Sequence, residues 1–162
     1  MRILHIITDL DMGGAEIMLH KLLFSLRNKA LDFSVISLMG RGEITNRIEM
    51  LGVKVDTLDL KQGALPGWST IKKLKQLTQG FDPDIVQGWM YHGNIAATMA
   101  VFLYQPICKK VKLFWNVRQT LYDINSEKTQ TRWLIVLGRW LSFFPHSIIY
   151  NSSLSAEQHC NV

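Results

Sequence analysis

A chain of 162 residues, 48% of them hydrophobic, can bury one domain-sized core and is too apolar to be disordered. Its net charge of +5 leans towards anionic partners (phosphorylated substrates, an acidic membrane surface or nucleic acid), although lysines scattered over solvated faces give the same sum. Nucleic acid is set aside because the aromatic-basic interleaving of the known binding modules is missing, and a membrane span because no unbroken apolar run reaches ~18 residues.

The first element is "RILHIIT", a short β-branched run that reads as a buried parallel strand. Its single basic residue and the acids after it are not the make-up of a signal peptide. "DLDMGGAE" follows, and from Ala15 the apolar positions Ala15, Met18, Leu19, Leu22, Leu23 and Leu26 mark one face of a helix. "FSVISLM" is a second strand. Ile44, Ile48 and Leu51 fall at helical spacing and stop at Gly52, a C-cap residue. "VKVDTLDL" alternates as an edge strand does. After the loop "KQGALPG" comes a lysine-rich helix over Ser69 to Thr78, then a short buried strand in "FDPDIVQGWM" and a helix apolar all round from Asn94 to Tyr104. "VKLFWNV" is the fifth strand. Trp133, Val136, Leu137, Trp140, Leu141 and Phe144 form a helical stripe ended by Pro145, "SIIYNSS" is the sixth strand, and "SLSAEQHC" opens a last helix behind a Ser-type N-cap. Strands alternating with helices predict a Rossmann-like, doubly wound α/β domain, its sheet mainly parallel and flanked by helices on both faces. Strands one, two, four, five and six are expected to be buried. The two cysteines, Cys108 and Cys160, match no metal spacing and no disulfide framework, which favours a reducing compartment.

In such a fold, ligands bind beyond the carboxyl ends of the strands. That directs attention to Thr8 to Glu16, Gly88 to Asn94, Asn116 to Thr120 and Asn151 to Ser153. No Walker string is present, and the single pair Gly13-Gly14 falls short of a dinucleotide fingerprint. The remaining phosphate reading is a glycine turn that leaves N–H groups exposed at a helix N-terminus. The competing reading is a tight turn and nothing more.

"GGAE" at the start of the first helix, behind an Arg-Ile-Leu-His-Ile strand, resembles the N-terminal domain of the family 4 glycosyltransferases. "DPDIVQGWMYHGNIAA" is similar to that family's fourth strand and following helix, "FWNVRQT" to its fifth strand, and "HSIIYNSSLSAEQH" to its sixth. The resemblance implies the GT-B architecture, in which two Rossmann-like domains face one cleft. The N-terminal domain mainly holds the acceptor and the C-terminal one the nucleotide sugar. Residues 1–162 then form a single acceptor domain. The C-terminal domain, with its spaced glutamate pair, lies outside the chain, which stops within a predicted helix. "NVRQT" departs from the family, many members of which carry a histidine in that loop.

The resemblance implies transfer with retention at the anomeric carbon and no metal or other cofactor, the nucleotide sugar acting as co-substrate. It assigns donor-phosphate contact to Gly13 and Gly14, a catalytic hydrogen bond to His92, and acceptor binding to Asn116, Arg118 and Gln119. A neutral imidazole can both donate and accept, and a guanidinium can clamp an anionic acceptor in two-point fashion. Each residue has a plainer reading: helix-end hydrogen bonding for His92, and a salt bridge to Asp123 or Glu127 for Arg118. Glu16 is expected to serve the helix dipole, His5 to be a satisfied core histidine, His20 to be solvated, and Asn151 and Ser152 to cap the last helix, with ligand bonding as their alternative. Lys72, Lys73 and Lys75 beside Leu65 and Trp68 read as peripheral membrane contact or as a solvated face. The expected partners are a nucleotide sugar, a saccharide or lipid-linked acceptor of cell-envelope polysaccharide synthesis, and the missing domain or a partner subunit. The expected location is the cytoplasm, at the inner face of the membrane. The alternative is a non-catalytic module that binds saccharide or recruits a partner in a split enzyme.

Overall fold

The computed structural model describes residues 1–104, 110–118 and 136–160. In chain order the elements are β1 (Arg2–Ile7), α1 (Gly14–Leu26), β2 (Asp32–Ser37), α2 (Thr45–Glu49), β3 (Lys54–Thr57), α3 (Trp68–Phe81), β4 (Ile85–Trp89), α4 (Met90–Tyr104), β5 (Lys112–Val117), helical residues 136–141 (α5), β6 (Ser147–Tyr150) and α6 (Ser153–Cys160). The strands form one six-stranded sheet in the order β3-β2-β1-β4-β5-β6. Every pairing is parallel. The doubly wound α/β expectation is therefore met.

Alternation along the strands divides the core in two. Leu4, Ile6, Val86, Leu113 and Trp115 face Leu74 of α3 and Ala96, Ala97 and Ala100 of α4. Ile7, Phe33, Val35, Val55 and Trp89 face Ala15, Leu19 and Leu23 of α1 and Ile44 and Ile48 of α2. Central strands covered on both faces are largely apolar, which is why β1 reads as a near-continuous run; in β2 the buried Ser34 and Ser37 donate to the carbonyls of Lys54 and Gly40. α2 ends at Glu49 with Met50 as its C-cap, two residues before the expected Gly52, which stands at φ 80°, a left-handed position that suits glycine. At the amino edge of the sheet Arg2 lies 3.5 Å from Asp32 and 3.7 Å from Asp82, and over the Phe81 ring. Tyr104 of α4 donates to the same Asp82.

Three expectations need correction. β6 is not buried: it is an edge strand in which Ile149 is 44% exposed, because it has a neighbour on one side only. The helical stripe before Pro145 is present in part, yet Val136, Leu137, Trp140 and Phe144 are exposed, and Leu141 is the stripe residue that packs on the core; Trp133 lies outside the described residues. On α1, Met18 is exposed and Glu16 is buried, so the covered face is rotated from the one that hydrophobicity alone selects.

Candidate functional site

The strand order reverses between β1 and β4, which makes the carboxyl ends of these two strands the natural ligand position. No loop separates β4 from α4: Trp89 ends the strand and Met90 begins the helix. The turn is made by Met90 at φ 62°, a left-handed conformation that costs a non-glycine residue about 1 kcal/mol or more. Two glycines let α4 sit directly on the sheet. A Cβ on Gly88 would stand 2.5 Å from Asn94 Cα, and one on Gly93 would stand 2.6 Å from the carbonyl oxygen of Ile6. The start of α4, which carries His92, is thereby held against β1 just before β1 runs into Thr8 and Gly13.

Polar links continue across the same edge. The Asn116 N–H donates to Asn94 Oδ1 at 3.3 Å, tying the end of β5 to α4. Trp115 Nε1 donates to Thr98 Oγ1 at 3.0 Å, and Thr98 Oγ1 in turn donates to the Asn94 carbonyl at 2.9 Å. Asn151 Nδ2 donates to the Arg118 carbonyl at 3.2 Å, tying the end of β6 to that of β5. Ser152 caps α6 as expected, its Oγ accepting from the Ser155 N–H at 3.1 Å. Asn151 does not share that cap; it bridges two strands.

The predicted residues fall into this frame as follows. His92 is exposed on the first turn of α4. Its pKa is lowered because the surrounding protein desolvates the imidazolium, so the neutral ring is favoured. Asn116 is 4% exposed, and its Oδ1 is a buried acceptor without a hydrogen-bond partner. Arg118 is half-buried at the end of β5. Gln119, Asp123 and Glu127 lie outside the described residues. Gly13 is the N-cap of α1 at φ −139°. Gly14 has no left-handed backbone, and a Cβ built on it meets nothing within 4 Å. The chain itself therefore places no demand for glycine at position 14.

Glu16 changes the reading of this helix end. It is 8% exposed, and a Cβ on Gly13 would stand 3.2 Å from its carboxyl carbon. The backbone of Glu16 and Ala15 at the start of α1 favours the charged form of this carboxylate. Burial nevertheless raises its pKa, reinforced by Asp9 and Asp11. Desolvation outweighs the helix-end hydrogen bonds.

Sequence reasoning singled out the stretch Gly88 to Asn94 but missed the close approach at Gly88 and Gly93, the hydrogen bonds of Asn94 and the pairing of His5 with Trp89. The spacing of the two glycines around "WMYH" was the available signal for close backbone approach. His5 is 1% exposed, stacks on Phe33, and accepts at Nδ1 from Trp89 Nε1 at 3.3 Å. Its Nε2 makes no hydrogen bond of good geometry, so it is a half-satisfied core histidine. Burial brings its pKa down to about 4, with Gln87 alongside as the weaker, opposing influence. His20 is half-buried and stacks on Phe24 rather than standing in solvent.

No protein-family model matches the chain, and no curated protein matches it in sequence. Solved structures do match in fold. HepE of Anabaena, in complex with UDP and glucose, superposes with a TM-score of 0.70 at 16% identity over 98% of this chain and 40% of its own. The lipopolysaccharide outer core galactosyltransferase WaaB, in its apo form, gives 0.65 at 13% identity over 99% of this chain and 42% of its own. The UDP-GlcNAc 2-epimerase of Methanocaldococcus jannaschii gives 0.61 at 10% identity over 99% and 42%. The chain has the fold of a GT-B domain. The domain spans about two-fifths of the length of these structures. Among the described residues, no helix is long and apolar enough to cross a membrane.

Proposed function

We propose that the domain is the acceptor-binding half of a retaining glycosyltransferase of family 4, moving a sugar from a nucleotide-sugar donor to a saccharide or lipid-linked acceptor of the cell envelope. The observation that carries this reading is the single polar edge where β1, β4, β5 and β6 end. Asn94 ties α4 to the end of β5 there and Asn151 ties the end of β6 to that of β5, and the glycine turn before α1 follows β1 at the same edge. The likeness to a structure holding UDP and glucose supports a nucleotide sugar as one partner. A second domain would supply the donor pocket, the Gly13-Gly14 turn letting the donor pyrophosphate approach. Because the Glu16 carboxylate fills the space beside Gly13, the phosphates would pass over Gly14, where the space is open.

The roles follow from the chemistry present. His92, whose charged form is disfavoured by desolvation, donates or accepts one hydrogen bond at a sugar hydroxyl. Asn116 Oδ1 is an acceptor with no internal partner, and burying it so costs about 1 kcal/mol or more unless a ligand or water satisfies it. Arg118 suits an anionic acceptor group. Steady-state kinetics of the complete two-domain enzyme test these roles. Gly14→Val should raise the KM for the donor about tenfold or more, since only a ligand can clash there. Arg118→Ala should raise the acceptor KM, and His92→Ala should lower kcat by about 100-fold. Variants that fold and turn over like the parent would remove this edge from the mechanism.

The likeness to UDP-GlcNAc 2-epimerases supports a second reading, half of a nucleotide-sugar epimerase. Product analysis separates the two, because an epimerase inverts a carbon of the donor sugar and needs no acceptor.

A further inference from the structure

The connection between β3 and α3 leaves the sheet at its carboxyl edge and is exposed at every residue from Lys61 to Ser69. Leu65 is 90% exposed and Trp68 82%, and they flank Pro66 and Gly67. The turn between them is open too: a Cβ on Gly67 would meet nothing within 4 Å. Between Asp59 and Asp82 the segment carries charge of one sign. From Leu60 to Phe81 the sequence holds Lys61, Lys72, Lys73 and Lys75 and no acid. Lys73 is paired with Asp59 at 3.1 Å, and among the described residues Lys61, Lys72 and Lys75 make no ion pair. α3 buries Leu74 and Thr78, so helical spacing puts Trp68, Lys72, Lys75 and Gln79 along its outer side.

We infer that this surface docks on an anionic lipid bilayer, with Leu65 and Trp68 entering the headgroup layer and Lys61, Lys72 and Lys75 meeting lipid phosphate. An indole joins an apolar body to one N–H and so suits a membrane interface. The lysines provide attraction over roughly a Debye length. Nucleic acid would use the lysines but has no use for an exposed leucine beside a proline. A second copy would bring like charges face to face across a two-fold axis. The docked edge is the one that carries His92 and Arg118, so a lipid-borne acceptor would meet the site from the membrane side. The inference itself stands without the transferase reading.

Cosedimentation of the 162-residue chain with vesicles tests it. The chain should bind phosphatidylcholine:phosphatidylglycerol vesicles at a ratio of roughly 2:1, lose that binding as salt rises, and ignore phosphatidylcholine alone. A Lys61→Gln, Lys72→Gln, Lys75→Gln variant should bind about 100-fold more weakly. Leu65→Ser with Trp68→Ser should lose about tenfold or more. All these side chains are exposed or in the first turns of α3, and circular dichroism confirms that the variants fold. Equal uptake by both vesicle types, no uptake by either, or variants that bind like the parent would overturn the inference. So would an oligonucleotide that displaces the vesicles and is held equally by the Leu65→Ser, Trp68→Ser variant, which would give the surface to nucleic acid. Self-association abolished by the same substitutions, without vesicle binding, would give it to a second copy and overturn the inference too.

Discussion

Burial decides the protonation of residues whose charge would otherwise be judged from type. His5 binds its proton less readily in the folded chain, with a pKa of about 4 against an ordinary 6.5. Between those values the unfolded chain holds more protons, so acid favours unfolding. Stability conferred by neutral His5 is complete above the ordinary value and lost as pH falls through the folded one. The full change is about 3 kcal/mol. His5→Gln keeps an acceptor for Trp89 and cannot titrate. Urea midpoints measured across this range should therefore fall less steeply with acid in the variant than in the parent. Equal slopes would show that His5 is not the group responsible. Glu16 follows the same logic with the opposite charge: the helix end attracts its carboxylate, yet lost hydration prevails and its pKa rises.

At the scale of elements, the fold depends on how closely α4 can approach the sheet. Gly93 faces the Ile6 carbonyl, where a methyl group would stand at 2.6 Å from backbone that has no room to retreat. Gly93→Ala gains about 1 kcal/mol of helix propensity, but the overlap should outweigh it and destabilise the domain by about 1–3 kcal/mol. Gly14→Ala meets no atom and should change stability by less than about 0.5 kcal/mol. Thermal melts of the pair give the comparison, and equal effects would contradict the close seat of α4. Because that seat also positions His92 beside β1, Gly93→Ala should disturb the site even where the domain remains folded.

For the whole molecule, one Rossmann-like wall cannot hold donor and acceptor together. Proximity provides a large part of a two-substrate rate enhancement, so residues 1–162 alone should give no product with nucleotide sugars and envelope acceptors. Reproducible turnover by this chain would refute the two-domain reading. Its apolar surface points the same way. Trp140 is 72% exposed and Phe143 86%, with Phe144 edge-on to Phe102 at 4.8 Å between ring centres. Contiguous apolar area of this kind promotes association. Light scattering should show the isolated chain associating as concentration rises, and a strictly monomeric chain would mean that the patch is covered in solution.

The elements and their parallel arrangement were legible because the signals are local. β-branched runs such as "RILHIIT", helical spacing from Ala15 to Leu26, and glycine at position 52 act over a few residues, and alternation of strand and helix leaves few ways to pack. The edge position of β3 was equally plain from its alternating pattern. Contacts between distant segments decided the rest. Whether Ile149 is buried depends on where its strand lies, and among the described residues β6 is at the sheet edge with β5 as its one partner. Whether the glycine turn is empty depends on where the Glu16 carboxylate folds. The bonds from Asn94 to Asn116 and from Asn151 to Arg118 join residues 22 and 33 positions apart, a separation at which hydrophobic period carries no information. Sequence therefore determined what each segment is, and tertiary structure decided which of its polar groups remain available, because availability is set by neighbours that only folding brings together.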